Sequence, residues 1–546
     1  MNRPKFYIFL PLLFALVLLL GFFLGNSFNL NKSIRIITLN AFNKYDKIEE
    51  VLRYIQEEYV DTVNNEQLVE KTIVSMLKNL DPHSNYISAD ELLANNEPLK
   101  GNFEGIGIEF NIVEDTICVI AAIPRGPAES GGIKAGDKII KVEGEIVAGV
   151  NIKNKDVLEK LKGKNHTKVK LTVYRSVGNE LLTFTITRGI IPLYSIDVAY
   201  MVSNEIGYVK INRFAATTHE EYLEAFAKLK KQGLQQLIID LRGNGGGYLS
   251  TAVDIADEFL AEGLEIVYTE GNARPRKSYK ASNKGGFEAG KLCILIDDNS
   301  ASASEILAGA IQDNDRGIIV GRKSFGKGLV QEQSEFSDGS AMRLTIARYY
   351  TPTGRCIQKS YSDGTEAYFR DDEDRNINTG QDSLSQVDLP DSLKFITPAG
   401  KIVYGGGGIS PDVFVPIDTA GYSNYLSEIT YGGLINDFAF AYADKERKKL
   451  NSFKTFQNFN KSFEITPKIF DAFVAYTIKN KVVAKAKQVK TSKEIIKTQL
   501  KALIARNIWS NEGYFPVVQS ADKLLKKAIE VLNKEGEPVS YKKLKN

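Results

Sequence analysis

The chain has 546 residues, 43% of them hydrophobic and 25% charged, and its 70 Lys and Arg against 67 Asp and Glu leave a formal charge of +3. That length corresponds to roughly three or four domains. The balance excludes a disordered or collagen-like chain and a polytopic membrane protein, and so small a net charge gives no support to a nucleic-acid binder.

Arg3 and Lys5 precede an uncharged run over residues 6–25. About 20 apolar residues suffice for a helix to span a bilayer, and flanking cations stay on the cytoplasmic side. The run ends Phe22-Phe23-Leu24-Gly25 without the small residues of a signal-peptidase site, so we expect a retained single-pass anchor within residues 1–30. A cleaved signal is the competing reading. Either way, the remainder is expected on the extracytoplasmic, periplasmic side of a cell membrane.

Helical spacing then joins Ile48, Val51, Leu52 and Ile55, and again Val69, Ile73, Met76, Leu77 and Leu80, before Asp81-Pro82 stops the second helix. We expect two small packing helices here. From residue 101 to 188 the texture is short strands and glycine turns. Strands are predicted at 117–123, broken by Pro124-Arg125-Gly126-Pro127, and at 138–142 and 168–174, with a helix at 154–161.

From 206 to about 416 strands alternate with helices. Strands are predicted at 207–211, 237–241 and 292–296, and helices at 220–231, 250–260 and 304–312, which argues for a mainly parallel sheet covered by helices. The acidic run Asp371-Asp372-Glu373-Asp374 reads as a solvated loop. The last 120 or so residues read as lysine-rich helices. Thr466-Pro467 opens one, with Ile469, Phe470, Phe473, Val474 and Ile478 on its apolar stripe. Leu524, Leu525, Ala528, Ile529 and Leu532 form another stripe, and both are expected to pack as a helical subdomain.

Three segments could carry chemistry. Asp240-Leu241-Arg242-Gly243-Asn244-Gly245-Gly246-Gly247 follows a buried strand and precedes a helix. Its glycines let backbone N–H groups approach an anionic or carbonyl oxygen, although a tight strand-to-helix turn explains them nearly as well. Tyr248 occupies the place where a dinucleotide fingerprint needs its last glycine. Ser300-Ala301-Ser302-Ala303-Ser304-Glu305 sits at a predicted helix start, where Ser302 and Glu305 have capping-box spacing. A helix amino terminus could also expose a nucleophilic hydroxyl and stabilise an oxyanion. Local pattern does not choose among Ser300, Ser302 and Ser304. Gly321-Arg322-Lys323-Ser324-Phe325-Gly326-Lys327-Gly328 nearly matches a phosphate-binding loop, but Gly328 replaces the magnesium-binding hydroxyl. The other reading makes Lys327 a base. A buried, neutral lysine can take a serine proton. The three histidines, His83, His166 and His219, lie outside such turns, which disfavours a Ser–His–Asp triad. Cys118, Cys293 and Cys356 are odd in number and widely spaced, and support neither a disulfide framework nor a zinc site.

Taken together and in order, Leu80-Asp81-Pro82-His83-Ser84, Gly101-x-Phe103-x-Gly105-Ile106-Gly107, Asp240-Leu241-Arg242-x-Asn244-x-Gly246-Gly247, the 300–305 segment and Phe325-Gly326-Lys327-Gly328-x-x-Gln331 resemble the carboxyl-terminal processing peptidases, or tail-specific proteases, over roughly residues 41–416. The resemblance implies an α/β multidomain chain. Its parts would be a membrane anchor or signal (1–30), a helical segment (41–98), a PDZ domain (99–190), a ClpP/crotonase-like peptidase core (191–418) and a carboxyl-terminal helical domain (419–546) whose role it leaves open. It implies Ser302 as nucleophile, Lys327 as general base and Gln331 as the residue orienting the lysine. It further implies an oxyanion hole from the N–H groups of Ala303 and Gly246, and capture of a substrate carboxyl terminus at Gly105, Ile106 and Gly107. No metal or organic cofactor is implied. The expected partners are protein or peptide carboxyl termini, the membrane through the first helix, and an adaptor or a further copy, with no nucleic acid. Two other functions compete: a non-catalytic scaffold that holds exported proteins through the PDZ-like domain, and, more remotely, a nucleotide-binding enzyme built on the loop at Gly321.

Overall fold

A computed structural model of the chain describes residues 15–20, 46–123, 126–175, 180–370 and 390–534. The break at Pro124-Arg125, the acidic run at 371–374 and, apart from residues 15–20, the run at 6–25 lie outside them. Among the described residues no helix is long and apolar enough to cross a membrane.

The chain divides into two compact units, one ending at Ser75. The first contains helix Asp46–Glu58 and the start of helix Asn65–Lys78, both as predicted. The packing expected of them is incomplete, since Ile48 and Val51 remain 45% and 56% exposed.

In the second unit, the glycine-rich stretch forms a sheet with strand order Ile108–Val113, Thr116–Ala122, Lys138–Val142, Lys168–Arg175, Glu180–Thr187, flanked by helix Asn154–Leu161. Its core is Ile106, Ile117, Val119, Ile139, Val157, Val169, Leu171 and Val173 with their neighbours. Strand Ile108–Val113 is at the sheet edge, paired on one side only.

The central sheet has six strands in the order Ile196–Met201, Ile206–Ile211, Gln236–Asp240, Lys291–Ile296, Ile318–Gly321, Val413–Phe414. All pairings are parallel except the first. Side chains alternate across a strand, so a strand covered on both faces reads as an unbroken apolar run. Leu237 and Ile239 face a core made with helices Thr218–Lys231, Leu249–Asp257 and Ala303–Asp313. Ile238, Cys293, Leu295 and Val320 face the other way, against Leu524, Leu525, Ala528 and Leu532 of helix Lys523–Asn533.

That second contact corrects one expectation. The 469–474 stripe does pack within a helical cluster, with Tyr425, Leu426, Phe459 and Leu500. The 524–532 stripe instead packs on the other face of the central sheet, where Phe515 of the preceding helix joins it. Asp522 fixes the helix start twice over. It accepts the Leu524 and Leu525 N–H groups and pairs with Arg242 at 2.7 Å.

A second, antiparallel sheet was not anticipated. Strand Ala341–Tyr350 is paired with Asn85–Ile87, Glu265–Gly271 and Leu329–Glu335, and Arg274–Lys280 extends it. Because strand Leu329–Glu335 follows Gly321–Gly328, that loop opens no helix. It therefore lacks the helix amino terminus on which a phosphate-binding loop depends.

Candidate active site

Strand Gln236–Asp240 ends in the buried Asp240, 0% exposed. Its carboxylate accepts the Tyr208 hydroxyl at 2.6 Å and the Arg242 N–H at 2.9 Å, and binds the Arg242 guanidinium. Burial alone would raise its pKa, but Arg242 and Lys210 hold it down to about 2. The Asp240–Arg242 segment is thus an ionic lock that fixes where the following glycines turn.

Those glycines lie against the start of helix Ala303–Asp313. A Cβ on Gly246 (φ +104°) would come within 2.7 Å of Ser302 Cβ and 2.8 Å of Ala301 O. Glycine is required there by close approach as well as by backbone angle. The turn also separates the three serines. Ser300 Oγ donates to Leu241 O and Ser304 Oγ to Asn244 O, each at 2.9 Å, and both residues are buried. Ser302 instead lines an open cleft of about 580 Å³, together with Gly245, Gly246, Gly247, Lys327 and Gln331. Its backbone is held at φ 57°, ψ −114°, a conformation that costs a non-glycine residue about 1–3 kcal/mol.

Glu305 explains how that strain is sustained. Sequence spacing suggested only a helix cap, and the carboxylate does accept the Ser302 N–H at 2.8 Å. It also accepts the Lys327 N–H at 2.9 Å, the Gly326 N–H at 2.8 Å and the Ser324 hydroxyl at 2.5 Å. Burial raises the pKa of this fully enclosed group, and its four donors pull the other way. Tyr349 adds a second tie, its hydroxyl lying 3.1 Å from Ser302 O and 2.6 Å from Lys327 O.

Lys327 Nζ donates to Gln331 Oε1 at 2.9 Å, and Gln331 Nε2 donates to the His83 carbonyl at 2.6 Å. The His83 turn is anchored in its turn by Asp81, which accepts the His83 and Ser84 N–H groups and the Ser84 and Thr345 hydroxyls. This is what the Asp81-Pro82-His83-Ser84 motif does. The His83 ring packs near Phe325, Tyr368 and Phe369, and burial, aided by the charge of Lys327, lowers its pKa to about 4. Burial, reinforced by the Arg343 charge, lowers the Lys327 pKa to about 8, against the opposing pull of Asp81 and Glu305.

Of the two expected oxyanion donors, Ala303 N–H is the first of its helix and has no acceptor among the described residues. The Gly246 N–H is engaged, donating to Asn244 Oδ1 at 2.9 Å. The Asn244 side chain, needed to close the glycine turn, competes for it. In the small mixed domain, Gly107 (φ +76°) leads into the edge strand, and the Ile106 and Gly107 N–H groups have no acceptor among the described residues.

The sequence agrees with family profiles. Residues 205–366 match peptidase family S41, 119–175 a PDZ domain, 28–91 the N-terminal domain of the activating protease CtpB, and 425–510 a family of unknown function. Carboxy-terminal processing protease CtpA of Bacillus subtilis is 34% identical over 58% of this chain and 67% of its own. A carboxy-terminal-processing protease of Bartonella bacilliformis is also 34% identical, over 58% of this chain and 74% of its own. Among solved structures, a photosystem II D1 C-terminal processing protease aligns at 27% identity and a TM-score of 0.37, over 68% of this chain and 87% of its own. The chain belongs to the carboxy-terminal processing proteases of peptidase family S41, serine-type peptidases that carry a PDZ domain.

Proposed function

We propose that the protein cleaves exported proteins in or near their carboxyl-terminal tails with a Ser302–Lys327 dyad. The observation that carries this reading is the shared cleft. Ser302 and Lys327 both line it, and the lysine, lowered to about 8, is poised to lose its proton. Neutral Lys327 takes the Ser302 hydroxyl proton as Oγ attacks the peptide carbonyl carbon. Ala303 N–H stabilises the oxyanion at the helix amino terminus, and the Gly246 N–H joins it on leaving Asn244. Collapse breaks the C–N bond, and protonated Lys327 gives its proton to the departing amine. Water then attacks the acyl ester, Lys327 receives its proton, and Ser302 is restored. Gln331 holds the amine in line.

The edge strand Ile108–Val113, preceded by the unpaired N–H groups of Ile106 and Gly107, supports capture of a chain terminus as an added strand with its carboxylate in the Gly105–Gly107 loop. The run at 6–25 supports a single-pass anchor with the catalytic part on the extracytoplasmic side.

The test is incubation of the full chain with a tailed test protein, read by mass spectrometry. New carboxyl-terminal fragments are expected from the wild type and none from Ser302→Ala, Lys327→Ala or Lys327→Arg, the last because arginine stays charged. Capture without cleavage by the wild type would make the protein a scaffold instead. Protease accessibility of the catalytic part in intact cells and in spheroplasts tests the topology.

A further inference from the structure

One wall of the cleft is the antiparallel sheet, through strands Leu329–Glu335 and Ala341–Tyr350. On it, Gln331 pairs in register with Thr345 and Gln333 with Arg343, so all four residues share one sheet face. Arg343, like Gln331 and Gln333, lines the cleft. Its side chain makes a single hydrogen bond among the described residues, to the neutral Gln333 Oε1 at 3.0 Å. No carboxylate there lies within ion-pairing distance of it.

Several arginines of this protein are paired with acids, whereas Arg188 and Arg213, like Arg343, bond only neutral groups among the described residues. Arg175 pairs with Asp137, Arg242 with Asp240 and Asp522, Arg322 with Asp298, and Arg355 with Asp313. A guanidinium offers five donors in a planar fork that fits a carboxylate. At Arg343 most of that capacity is unused, in a partly enclosed cleft whose lining cations, Lys100, Lys327 and Arg343, face one acid, Glu335. Gln333 holds the guanidinium without neutralising it.

We propose that Arg343 anchors a carboxylate of the peptide in the cleft, either a chain terminus not seated in the Gly105–Gly107 loop or an Asp or Glu side chain beside the scissile bond, so that the site selects acidic tails. This deepens the proposed function and rests on the Ser302–Lys327 reading. Such an anchor stabilises bound peptide before and during the reaction, so it acts mainly on KM.

The experiment compares matched peptides on the full-length enzyme. One pair differs in a free or amidated carboxyl terminus a few residues beyond the cut. A second series replaces Gln by Glu, position by position, on both sides of it. Wild type should favour the carboxylate member of one set by roughly tenfold or more in KM, the worth of a charge-assisted hydrogen bond. Whichever set responds identifies the source of the carboxylate. Arg343→Gln should erase the ratio, and Arg343→Lys should retain part of it. Because each ratio compares two substrates on one enzyme, any change in Lys327 protonation cancels. Equal KM values in wild type overturn the anchor without any variant needing to fold. An unchanged ratio in a folded Arg343→Gln overturns it as well. If Ser302→Ala is inert and the ratios are flat, only the anchor falls. A Ser302→Ala enzyme that still cleaves removes both proposals.

Discussion

Lys327 Nζ donates to Gln331 Oε1 at 2.9 Å, and among the described residues no carboxylate lies within ion-pairing distance of that nitrogen. A carboxylate at that distance would favour the ammonium form, whereas a neutral amide positions the amine without trapping its proton. With burial and the Arg343 charge also acting on it, the lysine reaches a pKa of about 8.

The pH profile should report this directly. In the proposed mechanism the neutral amine is the active form, so kcat/KM should rise with pH and level off above about 8. Arg343 disfavours the ammonium by like charge, so Arg343→Gln should move the rising limb to higher pH. A bell centred near neutrality, with a limb near 6.5, would indicate a histidine base instead.

Gln331 separates positioning from charge. Gln331→Ala should lower kcat by about 10–100-fold, because the amine loses its orientation, and should leave KM nearly unchanged. Gln331→Glu keeps an acceptor but adds a negative charge, so the rising limb should shift alkaline by about 1–3 pH units. A purely structural role for Gln331 would lower both variants alike without moving the limb.

The sequence conveyed the central sheet because strands 236–240 and 291–296 are apolar on both faces and end in glycine or small-residue turns. The antiparallel sheet escaped for the opposite reason. Strand Arg274–Lys280 is charged and mostly exposed, and strand Leu329–Glu335 places Gln331 and Gln333 on the face where an apolar pattern would have marked it. A strand that serves the cleft gives up its periodicity. The choice among Ser300, Ser302 and Ser304 was equally illegible locally, since it depends on Leu241 O and Asn244 O, some sixty positions away. Glu305 matched a capping pattern and so concealed its tie to Lys327.

Glu305→Ala should therefore cost far more than a helix cap. It leaves the Ser302, Gly326 and Lys327 N–H groups and the Ser324 hydroxyl without the buried carboxylate that accepts them. A loss of about 3 kcal/mol or more is expected in urea unfolding, since each buried orphan costs about 1–3 kcal/mol. A loss near 1 kcal/mol would reduce Glu305 to its capping role.

Gly246→Ala tests the approach of the glycine turn to Ser302, the proposed nucleophile. Its methyl group would press on Ser302 Cβ and Ala301 O at a backbone angle that suits glycine. Moving Ser302 by about 1 Å should lower kcat on the order of a hundredfold. Gly243→Ala is the control for strain alone. It too has positive φ (+72°), but its added Cβ meets nothing within 4 Å. Equal losses of activity in the two variants would remove the steric explanation.

Helix Lys523–Asn533 gives the last prediction. If it belonged only to the helical subdomain, removing it would leave the peptidase core intact. It instead buries Leu525, 3% exposed, against Ile238, Cys293 and Leu295 of the central sheet, and Lys291 Nζ donates to Leu532 O at 2.9 Å near its end. Leu525→Ala should cost about 2–5 kcal/mol, the usual range for a buried leucine. Truncation after Ser520 should expose much of one face of the sheet and take the Arg242–Asp522 pair with it. The expected result is aggregation on expression, or urea unfolding at a much lower midpoint, with Ser302 activity lost in parallel. A truncated enzyme that unfolds at the wild-type midpoint and still cleaves would show that the sheet holds without its carboxyl-terminal cover.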